Sequence, residues 1–329
     1  MPAPRLLLAA LACASLLLTA CAASPASTTS PSSATPSPSG TASPTATPSV
    51  KVSDSLSGIT VTGDRLKAPK VTFKAPFTID QTRVKVLVEG KGAPALADGW
   101  VEVHYHGVNG RTGKVFDESF SRKASVVFPL TGVIPGFTKG LTDQRAGSRV
   151  LIGIPGSDGY DAAGGSADAG IEVGDTLLFV VDIVSVSLNA PSGKAVQPPA
   201  GLPTVSTGTG KPTVTIPPDA KPPSKMVVQT LIQGTGRKVA QDDTIVVHYL
   251  TVSWKTGQVV EEKFASPDSG NLADTIPGWK KGLVGKRVGS RVLLVLPPAD
   301  GYPKGSNNPP IEAGDTVVYV VDLLFAYAR

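Results

Sequence analysis

The amino-acid sequence predicts an α+β protein of two like-folded domains, each an antiparallel sheet with one short helix packed on its concave face. Three observations carry this expectation. One stretch occurs twice, as Val133-Ile134-Pro135-Gly136-Phe137-Thr138-Lys139-Gly140-Leu141 and as Thr275-Ile276-Pro277-Gly278-Trp279-Lys280-Lys281-Gly282-Leu283. Around each copy, short segments of alternating β-branched and polar residues are separated by Gly/Pro-rich turns. Each half then closes on a strongly apolar strand, Thr176-Leu177-Leu178-Phe179-Val180-Val181-Asp182 and Thr316-Val317-Val318-Tyr319-Val320-Val321-Asp322.

The helix is predicted because proline stands where a helix begins and an aromatic residue and a leucine follow four apart on one face. A Gly-flanked turn and an apolar strand come next, Ser148-Arg149-Val150-Leu151-Ile152 in one copy and Ser290-Arg291-Val292-Leu293-Leu294 in the other. The correspondence reaches beyond the helix. Glu89-Gly90-Lys91-Gly92 matches Gln233-Gly234-Thr235-Gly236, and Val103-His104-Tyr105 matches Val247-His248-Tyr249, at an offset of 144 residues. The offset falls to 142 at Ile134/Ile276 and Tyr160/Tyr302, and to 140 at Phe179/Tyr319, so two small deletions separate the copies. A period this long means whole domains rather than a solenoid.

Taken in order, Met1 to Arg5 carries one positive charge and Leu6 to Leu18 is apolar, too short to span a bilayer as a mature helix. Residues 1–20 read as a signal peptide. Leu18-Thr19-Ala20-Cys21 resembles a bacterial lipobox, in which Cys21 is lipidated; the alternative is an ordinary signal peptide cut near Ala23. Residues 21–50 are nearly all Ala, Ser, Thr and Pro, a tether with too little apolar surface to offset the entropy of ordering. Domain 1 is placed at residues 51–187. It includes an N-terminal strand extension, Ile59-Thr60-Val61-Thr62 and Val71-Thr72-Phe73, before Val84-Lys85-Val86-Leu87-Val88. Residues 188–212, rich in Pro, Gly, Ser and Thr, read as a linker that frees the domains to reorient, and domain 2 is placed at residues 213–329.

Composition excludes several chemistries. Both cysteines of the 329-residue chain, Cys13 and Cys21, lie in the leader, so the folded part has no disulfide, thiol nucleophile or cysteine metal site. The net charge of +5 comes from scattered Lys and Arg without a basic stripe, which argues against nucleic acid. His104 and His106 share a strand face, but no third ligand is evident and Leu250 stands opposite His106 in the second copy, so no metal site is expected. No Gly-x-Ser-x-Gly elbow and no phosphate loop occur. No cofactor is expected either. What remains is aromatic: Tyr105, Phe116, Phe128, Phe137, Tyr160 and Phe179, with Asp117 after Phe116. A packed core is the bland account, yet the polar groups of Tyr105, Asp117 and Tyr160 suit an apolar pocket with a few aimed hydrogen bonds.

At these residues the chain resembles the FKBP-type peptidyl-prolyl cis/trans isomerases. The matches are Val103-His104-Tyr105-His106-Gly107, Gly113-Lys114-Val115-Phe116-Asp117-Glu118-Ser119, Val133-Ile134-Pro135-Gly136-Phe137, Gly159-Tyr160 and Thr176-Leu177-Leu178-Phe179. They cover about residues 80 to 187 and, less fully, 225 to 327. The resemblance implies a twisted sheet wrapped around the short helix and a prolyl pocket. Phe137 would floor it, and Tyr105, Phe116, Phe128, Val133 and Phe179 would wall it. The Ile134 backbone N–H and the Tyr160 hydroxyl would hydrogen-bond substrate carbonyls, and Asp117 would polarise the edge. The family more often has Trp where this chain has Phe137.

In the second copy Tyr249, Ile276, Trp279, Tyr302 and Tyr319 hold matching positions. However, Val260-Glu261 stands where Phe116-Asp117 stood, Thr275 replaces Val133, and Phe128 has no evident partner. The expectation is a monomeric lipoprotein, held to the membrane by its lipid alone, that isomerises proline-containing exported polypeptides mainly in domain 1 and accepts the family's macrolide ligands. The alternatives are a non-catalytic chaperone or adaptor using both pockets as peptide-binding modules, and a purely structural lipoprotein.

Overall fold

The computed structural model describes residues 51–206 and 208–328. The leader, the tether and Cys21 lie outside the described residues. Domain 1 contributes strands β3 (Arg83–Val88), β4 (Trp100–Asn109), β5 (Val115–Glu118), β6 (Val126–Pro129), β7 (Arg149–Ile154) and β8 (Leu177–Val186), with helix α1 (Pro135–Leu141) between β6 and β7. An upstream hairpin, β1 (Thr60–Thr62) and β2 (Lys70–Thr72), forms the N-terminal extension. The sheet order is β3-β7-β8-β4-β5, with β6 also on β4, and every pairing is antiparallel.

Domain 2 repeats this plan: hairpin β10 (Thr204–Val205) and β11 (Val214–Thr215), then β12 (Val227–Gly234), β13 (Thr244–Ser253), β14 (Val259–Glu262), β15 (Asp268–Asn271), α2 (Pro277–Leu283), β16 (Arg291–Leu296) and β17 (Val317–Tyr327). Its sheet, β12-β16-β17-β13-β14 with β15 on β13, gains an edge strand, β9 (Gly193–Ala195), on β12. Among the described residues the α-helices are α1 and α2, and both domains carry several short 3-10 turns besides.

The helices lie close on their sheets because glycine recurs at four-residue spacing. A Cβ on Gly136 would come 2.2 Å from Ile154 Cγ2, and one on Gly140 would come 2.7 Å from Ile152 Cγ2. Gly278 and Gly282 stand in the same relation to Leu296 and Leu294. With the glycines seated on these sheet side chains, Phe137 and Leu141, or Trp279 and Leu283, are buried in the core on the helix side.

Both faces of each sheet are covered. Along β7 and β8, Val150, Ile152, Ile154, Phe179 and Val181 join the helix-side core, while Leu151, Leu178 and Val180 belong to a second core on the opposite face. The extension fills that second face with Leu56, Ile59, Val61, Val71 and Phe73. In domain 2 the same face is covered by Leu202, Val205, Val214 and Ile216.

This corrects the reading of residues 188–212 as a free linker. They are domain 2's counterpart of the N-terminal extension. Ser187 N–H donates to the Trp100 carbonyl in domain 1, and Leu188 N–H already donates to the Leu324 carbonyl in domain 2, at 2.8 and 3.0 Å. Ser192 and Val196 bond onward to Gly289 and Leu231. The physical reason is the apolar outer face: strands that are apolar at nearly every position need cover on both sides. A few valines and leucines supply it despite the Pro/Gly-rich composition around them.

Each extension is also pinned by a buried ion pair. Arg149 donates to both Asp182 carboxylate oxygens at 2.7 Å and to the carbonyls of Gly63 and Lys67 at 2.7 and 2.8 Å. Arg291 does the same with Asp322 and with the carbonyls of Gly208 and Gly210. The carbonyls come from the turn of each extension, so these guanidiniums are paired on one side and hydrogen-bonded on the other, as a buried charge requires.

Candidate active site

One cavity in domain 1 is lined by Tyr105, Phe116, Asp117, Phe128, Val133, Phe137, Tyr160 and Phe179. The fold thus brings together eight of the nine domain 1 residues singled out from the sequence. The ninth, Ile134, caps α1 with extended backbone (φ −58°, ψ 145°), and its side chain packs on the core beside the cavity. The lining residues arrive from several elements. Tyr105 comes from β4, Phe116 and Asp117 from β5, Phe128 from β6, Phe137 from the first turn of α1, and Phe179 from β8. Tyr160 comes from the loop after β7.

The rings form an edge-to-face box. Phe137 stands against Phe179 at 4.6 Å between centroids and against Phe128 at 5.9 Å, and Phe116 meets Phe179 at 5.4 Å with planes perpendicular. Such contacts set ring positions as well as adding to burial. Gly107 is required here: a Cβ on it would fall 2.7 Å from Phe116 Cζ and 2.9 Å from Phe179 Cε1.

The polar edge is a closed triad. The Tyr105 hydroxyl donates to Asp117 Oδ2. Arg122 donates to Asp117 Oδ1 at 3.0 Å and to the Tyr105 hydroxyl at 2.9 Å, with its guanidinium 5.7 Å from the Tyr105 ring centroid. Burial, reinforced by the Asp117 hydrogen bond, raises the Tyr105 pKa, so that phenol keeps its proton. The Tyr160 pKa is raised too, by burial and then by the Asp117 charge. Its hydroxyl makes no hydrogen bond to a described residue and borders the cavity. Arg122 escaped the sequence reading. Its only signal is an arginine five residues after Asp117 in the Ser121-Arg122-Lys123 turn, and lone surface arginines are common.

The His104 Nδ1 lies 3.2 Å from Ser119 Oγ with its ring stacked on Phe120. Among the described residues no three His, Cys, Asp or Glu side chains are grouped to hold a metal.

Domain 2 assembles the corresponding residues with other chemistry. Tyr249, Trp279 and Tyr319 pack edge-to-face or tilted at 5.3 to 6.2 Å, and Ile276 and Tyr302 border the same core. The sheet register identifies the missing wall. Val101 pairs with Phe128 in domain 1, and its equivalent Ile245 pairs with Gly270 in domain 2, so a glycine holds the place of Phe128. Likewise Gly107 pairs with Asp117, and Thr251 pairs with Glu261. Glu261 has no ion pair among the described residues, in contrast to Asp117 with Arg122.

Residues 92–184 and 235–324 each match the family model described as "FKBP-type peptidyl-prolyl cis-trans isomerase". The chain belongs to this family. Each matched segment lies within one folded domain and includes its helix and its pocket residues. A probable FK506-binding protein of Corynebacterium glutamicum is 37% identical over 120 residues, which is 36% of this chain and 99% of that protein. FkpA, an FKBP-type isomerase of Escherichia coli, is 36% identical over 102 residues, 31% of this chain and 36% of its own length. The crystal structure of Escherichia coli FkpA aligns at 35% identity with a TM-score of 0.30, covering 32% of this chain and 47% of that one. The protein is an FKBP-type peptidyl-prolyl cis-trans isomerase with two family domains in tandem. No helix among the described residues is long and apolar enough to cross a membrane.

Proposed function

We propose that domain 1 carries the isomerase activity, acting outside the cytoplasm on proline-containing exported polypeptides, with the protein anchored by a lipid on Cys21. Domain 2 binds polypeptide with little turnover. The observation that supports this division is the complete aromatic box of domain 1 against the Gly270 gap in domain 2.

Rotation about X-Pro breaks amide resonance over a barrier of about 20 kcal/mol and takes tens of seconds unaided. No nucleophile is needed. A site must hold the twisted amide better than either planar isomer, and each tenfold of rate needs about 1.4 kcal/mol of such preference. An apolar box supplies it, because the twisted amide has less charge separation and suffers less from losing water. In this reading Phe137 floors the pocket, with Tyr105, Phe116, Phe128, Val133 and Phe179 as walls. The Tyr160 hydroxyl and the Ile134 N–H hold flanking carbonyls, and the Tyr105–Asp117–Arg122 triad fixes the polar edge. The family's macrolides would compete for the same pocket.

The test is isomerisation of a prolyl peptide by the full chain, followed by NMR exchange with a macrolide inhibitor of the family as control. Tyr160→Phe and Asp117→Val are expected to lower kcat/KM at unchanged fold. Unchanged activity in both variants would overturn the assignment of domain 1. Labelling with palmitate that survives Cys21→Ser would overturn the anchor. A second reading, a non-catalytic holding protein, is favoured by the altered pocket of domain 2 and predicts suppression of aggregation that survives both pocket substitutions.

A further inference from the structure

The two pockets differ by a set of coupled exchanges rather than by scattered drift. Gly107, Phe116 and Phe179 of domain 1 correspond to Thr251, Val260 and Tyr319 of domain 2. In domain 1 a side chain at Gly107 would strike both Phe116 and Phe179. In domain 2 the smaller Val260 makes room for Thr251, which is fully buried. Tyr319, itself 2% exposed, carries a hydroxyl where Phe179 has only a ring edge.

These exchanges replace an apolar wall with hydroxyls. The Tyr319 and Tyr302 hydroxyls lie 3.0 Å apart. Thr251 Oγ1 is buried and has no hydrogen-bond partner among the described residues, and burial raises the Tyr319 pKa, so that phenol keeps its proton. Either hydroxyl can donate to the other, so one proton joins the pair and the second is left to donate outward, polarised by the bond its oxygen accepts. Tyr160, the equivalent donor in domain 1, has no such partner. Trp279 adds a buried Nε1 without a hydrogen-bond partner.

Resting on the reading of domain 1 as the isomerase, we propose that the Thr251–Val260–Tyr319 set makes domain 2 a holding site for extended polypeptide. It binds a carbonyl flanking the proline through the Tyr302–Tyr319 hydroxyl pair and gives the twisted amide no preference over the planar one. A bond to a flanking carbonyl adds affinity for every state of the X-Pro amide alike. The missing ring edges at Val260 and Gly270 leave the pyrrolidine unenclosed, which removes the apolar advantage of the twisted form. Binding the ground state this way gives affinity without rate.

The test uses the full chain with domain 1 silenced by Tyr160→Phe and Asp117→Val, probed with a proline-containing peptide by NMR titration and NMR exchange. This background is expected to bind the peptide in domain 2 with little catalysis. Adding Thr251→Gly, Val260→Phe and Tyr319→Phe together is expected to raise kcat/KM by about tenfold or more. Val260→Phe alone is expected to lower the melting temperature, through collision with Thr251, and Thr251→Gly to restore it. A folded triple exchange with no gain in rate, or a background chain that does not bind peptide in domain 2, overturns the proposal. An inactive wild-type chain overturns the reading of domain 1 instead, and the peptide titration alone then decides the holding role.

Discussion

Replacing Arg149 with leucine should both destabilise domain 1 and release its N-terminal extension. The guanidinium is 2% exposed and its partner Asp182 is 0% exposed, so the change leaves a carboxylate with no counter-charge and no water. Four hydrogen bonds go with it, two to Asp182 and two to the extension carbonyls of Gly63 and Lys67. Breaking one side of a buried pair costs about 3–5 kcal/mol, a large fraction of the roughly 5–15 kcal/mol by which a domain is stable. Arg149→Leu combined with Asp182→Leu should cost less than Arg149→Leu alone, because no orphaned charge remains. Hydrogen exchange resolved by residue is the appropriate assay, since domain 2 keeps its own Arg291–Asp322 pair and serves as an internal reference. The Leu66 amide, which donates to Asp182 Oδ2 at 2.7 Å, and the hairpin Thr60–Thr62/Lys70–Thr72 should lose protection first. Protection of that hairpin left intact, with a stability loss below about 1 kcal/mol, would refute the argument that the pair pins the extension.

Three further outcomes are expected. Gly136→Ala should cost about 1–3 kcal/mol by overpacking and lower activity, since its Cβ would meet Ile154 Cγ2 at 2.2 Å and lift Phe137 with the helix; urea titration and peptide turnover check both. Isomerisation should be flat between about pH 6 and 8, because the raised pKa values of Tyr105 and Tyr160 keep both phenols protonated and no proton transfer is required; a bell-shaped profile would show an acid or base in the reaction. Stability should fall on acidification in two stages. Burial lowers the pKa of His106 and His248 from 6.5, so below that value the unfolded chain takes up protons the folded chain refuses. Burial acts to raise the Asp175 pKa, but hydrogen bonds from Arg111, the Glu172 amide and Asn109 outweigh it and hold it below 3.8, so its contribution is present above that pH and lost as pH falls through the folded value. Thermal melts across the acid range check the order, and a melting temperature that rises on acidification from neutrality would contradict it.

The duplication, the helix-strand unit and the aromatic inventory of the pocket are determined by the sequence itself. They rest on local signals: proline at a helix start, Phe137 and Leu141 four apart, and apolar alternation that puts Val150 and Ile152 on one face. The tertiary structure alone decided the rest, because those features depend on which distant segments share a face. Residues 188–212 carry the composition of a linker, and only the uncovered apolar face beneath them makes them part of domain 2. Arg122 is an unremarkable turn residue until the β4–β5 pairing sets Asp117 beside Tyr105. Phe128 had no visible counterpart across a shortened loop until strand register placed Gly270 there. Tyr319 reads as a conservative change from Phe179, and its meaning appears only when the Tyr302 hydroxyl is found 3.0 Å away. Spacing along the chain specifies which residues a pocket contains, whereas the closure of loops between strands specifies which of their polar groups meet.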